Sequence, residues 1–145
     1  METVQHPLVL AGAMDNRDVP YRQGVHDAMA VLRGRWTVAV LAALALGERQ
    51  YKDLKSSIND VEERVGWVSH TRPLTDRVLS DTLRRAQQDG LIERRAEPGR
   101  FGGVWYTLTP MGRSLLRAVR PLAEWAQKYH DDLASRRQPE GASQD

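Results

Sequence analysis

Residues 74–92 have the sequence LTDRVLSDTLRRAQQDGLI, which predicts one helix with clear ends. Thr75 can cap the first turn with its hydroxyl, and Gly90 can end the helix in the left-handed conformation. Leu79, Leu83 and Ala86 recur at helical spacing and form one narrow apolar stripe. The opposite face is polar and consists of Arg77, Ser80, Asp81, Arg84, Arg85, Gln87 and Gln88. Such a helix suits the major groove of DNA, although a merely solvated face would have the same pattern.

The composition indicates one globular domain: 145 residues, 41% hydrophobic and 28% charged, with a formal net charge of +2. The longest apolar run, residues 36–46, is too short to span a bilayer, and no secretory signal pattern is present. Cysteine is absent, which removes disulfides, thiolate metal sites and thiol redox chemistry. We therefore expect a cytoplasmic protein. Of its 21 basic residues all but three are arginine, the side chain that suits phosphate and guanine.

The N-terminal half predicts two helices after an arm. Residues 1–20 contain Gly12, Asn16 and Pro20 and are expected to be flexible, with the first helical period beginning at Gln23. Residues 36–46 are apolar on almost every side, which predicts a central buried helix with Trp36 in the core.

A short amphipathic helix is predicted next, over residues 50–58. Residues 59–73 then break the helical period, and we expect a long inserted loop there, with a turn of helix at residues 61–65 as an option. Trp67 and His70 in this loop either line an effector pocket or anchor the loop on the domain. Pro73 disfavours helix at the residue before it, so the helix of residues 75–89 begins afresh.

A β-hairpin is predicted after that helix, over residues 91–108, with the turn-rich sequence PGRFGG at 98–103 as its connector. Arg94, Arg95 and Arg100 flank the hairpin and are candidates for phosphate contacts. The alternative is a surface ion-pair network with Glu93 and Glu97. A hairpin with a basic tip directly after a candidate recognition helix is the layout of a winged helix.

The C-terminal segment, residues 110–134, predicts helices that begin at the Thr109-Pro110 cap, with Pro121 separating two helices or bending one. Its apolar stripe is too long for a small domain to cover, so part of it is expected to face a second copy of the chain. Trp125 and Tyr129 on this stripe fit interface packing better than a second candidate effector pocket. Residues 135–145 are polar and are expected to be disordered.

Several short motifs occur in one order: GRW at 34–36, YKDL at 51–54, LSDTL at 79–83, DGLI at 89–92 and YTLTPMG at 106–112. With Leu122 and Trp125 as a late L-x-x-W element, the series resembles the HxlR-type winged helix-turn-helix transcription regulators, relatives of the MarR group, over about residues 25–129. The fold class is then mainly α with a small β-hairpin wing (α+β): a winged helix-turn-helix with terminal dimerisation helices. Residues 21–109 would form its DNA-binding domain.

The resemblance implies a homodimer that offers one recognition helix and one wing from each subunit to double-stranded DNA. The expected DNA-binding residues are Lys52, Lys55, Ser56, Thr75, Asp76, Arg77, Ser80, Asp81, Arg84, Arg85, Arg94, Arg95 and Arg100. The expected dimer interface consists of Val25, Met29, Leu115, Val119, Leu122, Trp125, Ala126, Tyr129 and Leu133. Arg77 and Arg84 are candidates for guanine or phosphate contacts, and Asp81 for orienting an arginine.

Two departures from the family pattern bear on regulation and geometry. Many members sense oxidants through a cysteine near the position of Gln23, and this chain has none. The connection over residues 59–73 is also longer than the family's short turn.

The sequence thus predicts a DNA-binding regulator, a repressor or autoregulator at a pseudo-palindromic operator, with a small-molecule effector as one further option. The alternative is a winged helix that serves only protein interaction. The four histidines lack metal-ligand spacing and no catalytic set is apparent, so we expect no metal, no cofactor and no enzyme.

Overall fold

A computed structural model describes residues 8–65 and 72–137 of the chain. The elements, in chain order, are α1 (Leu8–Leu32), α2 (Thr37–Ala45), β1 (Arg49–Gln50), α3 (Tyr51–Val65), α4 (Asp76–Gln88), β2 (Ile92–Ala96), β3 (Val104–Leu108), α5 (Pro110–Lys128) and α6 (His130–Arg136). The helix–turn–helix pair is α3 and α4, and the wing is the β2–β3 hairpin. The fold is a winged helix-turn-helix, mainly helical with a small antiparallel sheet, as predicted.

Helix α2 lies at the centre of the core. Val40, Leu41 and Leu44 on α2 are at most 1% exposed, and they belong to one apolar cluster with residues of α3, α4 and the sheet. Trp36, just before the helix, is buried as predicted. The prediction of a fully buried helix is wrong for one face, because Leu46 at the end of α2 is exposed and lines an apolar groove beside α3.

The sheet contains a strand that the sequence did not indicate. Its order is β1-β3-β2, all antiparallel, and β2 pairs with β3 from Ile92 opposite Leu108 to Ala96 opposite Val104. Strand β1 is only two residues long, so no alternating pattern could show it in the sequence. It ties the start of α3 directly to the wing through the pairing of Gln50 with Trp105.

Helix α3 continues to Val65 without a break, which corrects the predicted loop over residues 59–65, where the sequence indicated at most a separate turn of helix. The apolar spacing of Leu54 and Ile58 extends to Val61, and Glu62 and Arg64 are good helix formers, so the helix has no reason to stop at residue 59. The connection before α4, which is longer in this chain than the family's short turn, therefore consists in part of two further turns of α3. Trp67 and His70 lie outside the described residues.

Helix α1 begins at Leu8, which corrects the flexible arm predicted for residues 1–20 within the part that the structure describes. Pro20 lies inside the helix. Proline removes one hydrogen bond without ending the helix, because the residues before it include the strong helix formers Leu10, Ala13 and Met14.

At the other end of the chain, α5 passes through Pro121 and ends at Lys128, so the separation of two helices falls at Tyr129 instead of Pro121. Thr109 caps α5 as predicted, its hydroxyl accepting a hydrogen bond from the amide of Gly112 at 3.0 Å. Helix α6 reaches Arg136, two residues into the predicted disordered tail, and residues 138–145 lie outside the described residues.

Within the described residues no single helix is long and apolar enough to cross a membrane. One pair of helices, Val19–Leu32 with Thr37–Ala45, meets that length and composition test together but is bent by 80°. The second of these is α2, the core helix.

Candidate nucleic-acid interface

Helix α4 has the ends and the faces that the sequence predicted. The Thr75 hydroxyl accepts a hydrogen bond from the amide of Val78 at 3.3 Å, and Gly90 after the helix has a φ of +78°. The residues of α4 buried in the core are Leu79, Thr82, Leu83 and Ala86. The opposite face, with Arg77, Ser80 and Arg84, is exposed to solvent.

A tyrosine fixes the start of α4 against the start of α3. The Tyr51 hydroxyl lies 3.1 Å from the Asp76 carbonyl oxygen and 3.1 Å from the Ser80 hydroxyl oxygen. Lys55, one turn after Tyr51, forms an ion pair with Asp76 at 3.1 Å. Lys55, Asp76 and Ser80 were predicted to contact DNA, and the structure brings them together around Tyr51. Sequence reasoning missed Tyr51, whose signal was its place in the YKDL motif.

A second contact fixes the segment that leads into α4. The Asn59 amide group donates to the Leu74 carbonyl oxygen at 3.2 Å, and its oxygen accepts from the Leu74 amide at 2.8 Å. Leu74 itself is buried in the core. Because both backbone groups of Leu74 are satisfied by one side chain of α3, the position of the first turn of α4 is set despite the long connection.

The charged residues on the exposed face of α4 differ in their partners. Asp81 forms an ion pair with Arg84 at 2.7 Å, in line with the expected role of Asp81 in orienting an arginine. Among the described residues Arg77 has no such partner. An exposed pair contributes little to stability, so the Arg84 guanidinium can exchange Asp81 for a phosphate at small cost.

Arg85, one of the predicted DNA contacts, has a partner within its own chain. Its guanidinium turns back and donates to the Arg33 carbonyl oxygen at 3.0 Å, at the end of α1. Arg85 follows Arg84 on a helix with 3.6 residues per turn, so the two side chains leave the helix about 100° apart. Arg85 thus joins α4 to the α1–α2 connection.

A cleft of about 460 Å³ separates the start of α3 from the wing. Lys52 and Arg94 line it from the two sides, and no carboxylate is among its lining residues. Arg94 pairs with buried Tyr106 across the strands and shares the inner face of the sheet with Ile92. Two cations facing one open cleft without an acid form a suitable place for a backbone phosphate.

The tip of the wing is a narrow turn. The Glu97 amide donates to the Gly103 carbonyl oxygen at 2.9 Å, and the Gly102 amide donates to the Gly99 carbonyl oxygen at 3.2 Å. A Cβ atom at Gly102 would overlap the Glu97 carbonyl oxygen, so only glycine fits there. Arg100 and Phe101 project from this turn, and both are exposed. Sequence reasoning named Arg100 and missed Phe101.

The outer face of the wing holds a closed ion-pair network, which was the predicted alternative to phosphate contact. Arg95 lies 2.9 Å from a carboxylate oxygen of Glu48 and 3.3 Å from one of Glu97, and its guanidinium is 5.7 Å from the Trp105 ring centroid. Thr107 also donates to Glu48 at 3.0 Å. The hydrogen bond from Arg95 is the main cause that lowers the pKa of Glu48 below its ordinary value. The Arg95 guanidinium, one of the predicted DNA contacts, is thus bound within its own chain.

Helices α1 and α5, which were predicted to form the dimer, each carry exposed apolar side chains. Val25 and Met29 on α1 are 44% and 53% exposed, and Leu122 and Trp125 on α5 are 49% and 54% exposed. The ring of Trp125 lies 5.6 Å from that of Tyr129, between centroids. Leu115 differs from the other predicted interface residues, because it packs on the core of its own chain. Of the rest, Ala126 is exposed, and Val119 and Leu133 are half-buried.

The fold and this surface together define the class of protein: a winged helix-turn-helix with an arginine-bearing recognition helix. Residues 68–134 match the family model of the HxlR-like helix-turn-helix proteins. An uncharacterized HTH-type transcriptional regulator of Escherichia coli, YtfH, is 32% identical over 68% of each chain. The chain therefore belongs to the HxlR-like helix-turn-helix family of transcriptional regulators, which is not a family of enzymes.

Solved structures of other proteins have the same fold. A MarR-family transcriptional regulator from Enterococcus faecalis V583 superposes with a TM-score of 0.60 at 25% identity, over 79% of this chain and 92% of that one. The redox regulator HypR in its reduced form superposes with a TM-score of 0.58 at 24% identity, over 77% and 98% of the two chains.

Proposed function

We propose that the protein is a homodimeric, sequence-specific DNA-binding regulator that acts as a repressor or autoregulator at a pseudo-palindromic operator. The observation that supports this most is the exposed face of α4. Its start is fixed by Tyr51 and Asn59, and it presents Arg77 and Ser80 beside a cleft that holds Lys52 and Arg94. In such folds the second helix enters the major groove, and the cations neutralise phosphates beside it.

The exposed apolar side chains on α1 and α5 support the dimer. Val31, near the C-terminal end of α1, packs on the core, while Val19 and Tyr21 further back are 66% and 71% exposed. A helix whose side chains between residues 19 and 29 are mostly exposed, several apolar ones included, gains stability from a partner. Two recognition helices related by a two-fold axis would then match two half-sites.

DNA binding is tested by selection from a pool of random duplexes with the purified protein, followed by footprinting of the enriched duplexes. We expect enrichment of an inverted repeat whose half-sites are one helical turn apart, and protection of both half-sites. Failure to enrich any sequence above the starting pool would contradict the proposal. It would favour the alternative, a winged helix that serves protein interaction only.

Dimerisation is tested by sedimentation equilibrium of the wild-type protein and of Trp125→Glu. A carboxylate at the centre of an apolar interface is left unpaired and buried, so we expect Trp125→Glu to sediment as a monomer where the wild type is a dimer. Glu124→Ala, the neighbouring position on α5, is the control and should remain dimeric. A monomeric wild type at micromolar concentration would contradict the two-fold arrangement.

Regulation is proposed to be independent of thiol chemistry, because the 145-residue chain has no cysteine. HypR, with the same fold, is described as a redox regulator, and the present chain lacks the side chain for thiol–disulfide exchange. The remaining route is a small molecule at Trp125 and Tyr129 or at the segment with Trp67 and His70. Thermal-shift screening with metabolites tests this route, since a ligand of the folded state raises the unfolding midpoint.

A further inference from the structure

We propose that Phe101, at the tip of the wing, packs into the minor groove and makes the affinity depend on how easily the flanking base-pair step unstacks. The inference rests on the proposed function, since it assigns one side chain a role in the same DNA complex. It adds an apolar contact, and a preference for DNA sequence outside the half-site, to a wing whose other contacts are with phosphates.

The exposure of Phe101 is the first observation. It is the only phenylalanine in the chain. It is 92% exposed, more than any other large apolar side chain among the described residues, the next being Leu46 at 80%. A single exposed apolar side chain carries no meaning by itself, so the argument depends on where the ring is placed.

The shape of the turn is the second observation. Gly99, Gly102 and Gly103 surround Arg100 and Phe101, so residues 99–103 at the end of the turn carry only these two side chains. The two backbone hydrogen bonds of the turn hold it closed and narrow. A narrow tip with one cation and one aromatic ring is of a size to enter the minor groove of B-DNA, which is about 6 Å wide.

The surroundings are the third observation. Phe101 lines the same cleft as Lys52 and Arg94. A DNA strand whose phosphate is bound between these two cations would pass directly beside the ring, with its sugar edge toward the wing. Apolar wedges next to basic residues are the means by which many proteins partly unstack a minor-groove step. Pyrimidine–purine steps unstack most easily, and they are therefore the steps that such a ring favours.

The test uses the full chain and a duplex selected by the wild-type protein. Footprinting locates the step beneath the wing, and that step is made as TA or as AA. Both contain only A·T pairs and present the same minor-groove acceptors, so they differ in deformability and not in hydrogen-bonding pattern. A second pair of duplexes carries 2-aminopurine at this step, whose fluorescence rises when the base is unstacked.

We expect the wild type to bind the TA duplex roughly tenfold more tightly than the AA duplex, within the range for one base-pair preference. It should also raise the 2-aminopurine fluorescence. Phe101→Ala should bind both duplexes with equal affinity and leave the fluorescence unchanged. Phe101→Leu, which keeps an apolar wedge, should retain most of the preference. Arg100→Ala should weaken binding to both duplexes by the same factor.

A wild-type protein that binds the selected duplex without any preference between TA and AA would overturn this inference and leave the proposed function intact. The inference also fails if Phe101→Ala retains the preference and the fluorescence response. A wild-type protein that binds no duplex at all would contradict the proposed function itself, so the two failures are distinguishable.

Discussion

The two faces of the wing contain arginines that are adjacent in sequence but differ in the partners of their guanidinium groups. Arg94 on the inner face lines an open cleft with Lys52 and without a carboxylate. Arg95 on the outer face is paired with Glu48 and Glu97 and stacks on Trp105. The same contrast recurs on α4, where Arg77 has no ion-pair partner among the described residues and Arg85 donates to the Arg33 carbonyl oxygen. We infer that an arginine whose guanidinium is bound within its own chain stabilises the fold. An arginine without such a partner, or with only an exposed ion pair such as that of Arg84 with Asp81, is available to DNA.

The largest effect is expected for Arg77, which is exposed on α4. Arg77→Ala should cost about 1–3 kcal/mol of binding free energy for the selected operator, because a guanidinium at the groove contacts base edges or phosphate. Fluorescence anisotropy with labelled duplex measures this. Arg136→Ala is the matched control, since Arg136 pairs with Asp132 on α6, and its affinity should equal that of the wild type. Equal operator affinities for Arg77→Ala and the wild type would contradict the proposal that α4 enters the major groove.

Arg94 and Arg95 provide the sharpest test of the two wing faces. Arg94→Ala should reduce the slope of log affinity against log salt concentration by about 1, the signature of one lost phosphate contact. Arg95→Ala should leave that slope unchanged, because its charge is already balanced by Glu48 and Glu97. Titrations at several salt concentrations give both slopes. The comparison breaks if Arg95→Ala flattens the slope as much as Arg94→Ala does.

Arg85 is expected to affect stability instead of DNA binding. Loss of its hydrogen bond to the Arg33 carbonyl oxygen should lower the free energy of unfolding by about 1 kcal/mol, a value reduced for partial exposure. The midpoint of urea unfolding of Arg85→Ala measures it. Operator affinity at a temperature where the variant is folded should match that of the wild type. A loss of operator affinity as large as that of Arg77→Ala would show that Arg85 contacts DNA.

The smallest effect concerns the pKa of Glu48. The hydrogen bond from Arg95 holds this pKa below its ordinary value in the folded protein. The network therefore stabilises the fold at pH values above the pKa that Glu48 has in the unfolded chain. That stabilisation is lost as the pH falls through the folded pKa. The carboxyl carbon signal of Glu48 in an NMR titration reports the midpoint. We expect the midpoint to rise in Arg95→Ala, and an unchanged midpoint would show that Arg95 does not hold Glu48.

The sequence predicted the elements whose signals are local. Thr75 and Gly90 mark the ends of α4 by their own chemistry, and PGRFGG marks the wing turn, so both appeared where expected. Strand β1 was missed because it is formed only by pairing with β3, a distant segment of the chain: Arg49 lies opposite Tyr106, and Gln50 lies opposite Trp105.

The sequence could not predict the main partners of Arg85 and Arg95 either, because these partners also lie far away in the chain. Arg84 and Arg85 are identical in type, and their difference arises from the carbonyl group of Arg33, far away in the chain. Glu48 likewise reaches Arg95 across 47 positions. Phe101 had a signal, a lone aromatic in a glycine-rich turn, and its exposure became evident only with the turn closed.

The distinction between arginines that are available to DNA and arginines that are bound within their own chain can be tested directly. The experiment is NMR of the arginine side-chain Nε–Hε groups during titration with the selected duplex. The account predicts that the signals of Arg77, Arg84, Arg94 and Arg100 shift or broaden as DNA is added. The signals of Arg85 and Arg95 should stay in place. Shifts of Arg85 and Arg95 as large as that of Arg77, or unmoved signals for Arg77 and Arg94 in a saturated complex, would contradict it.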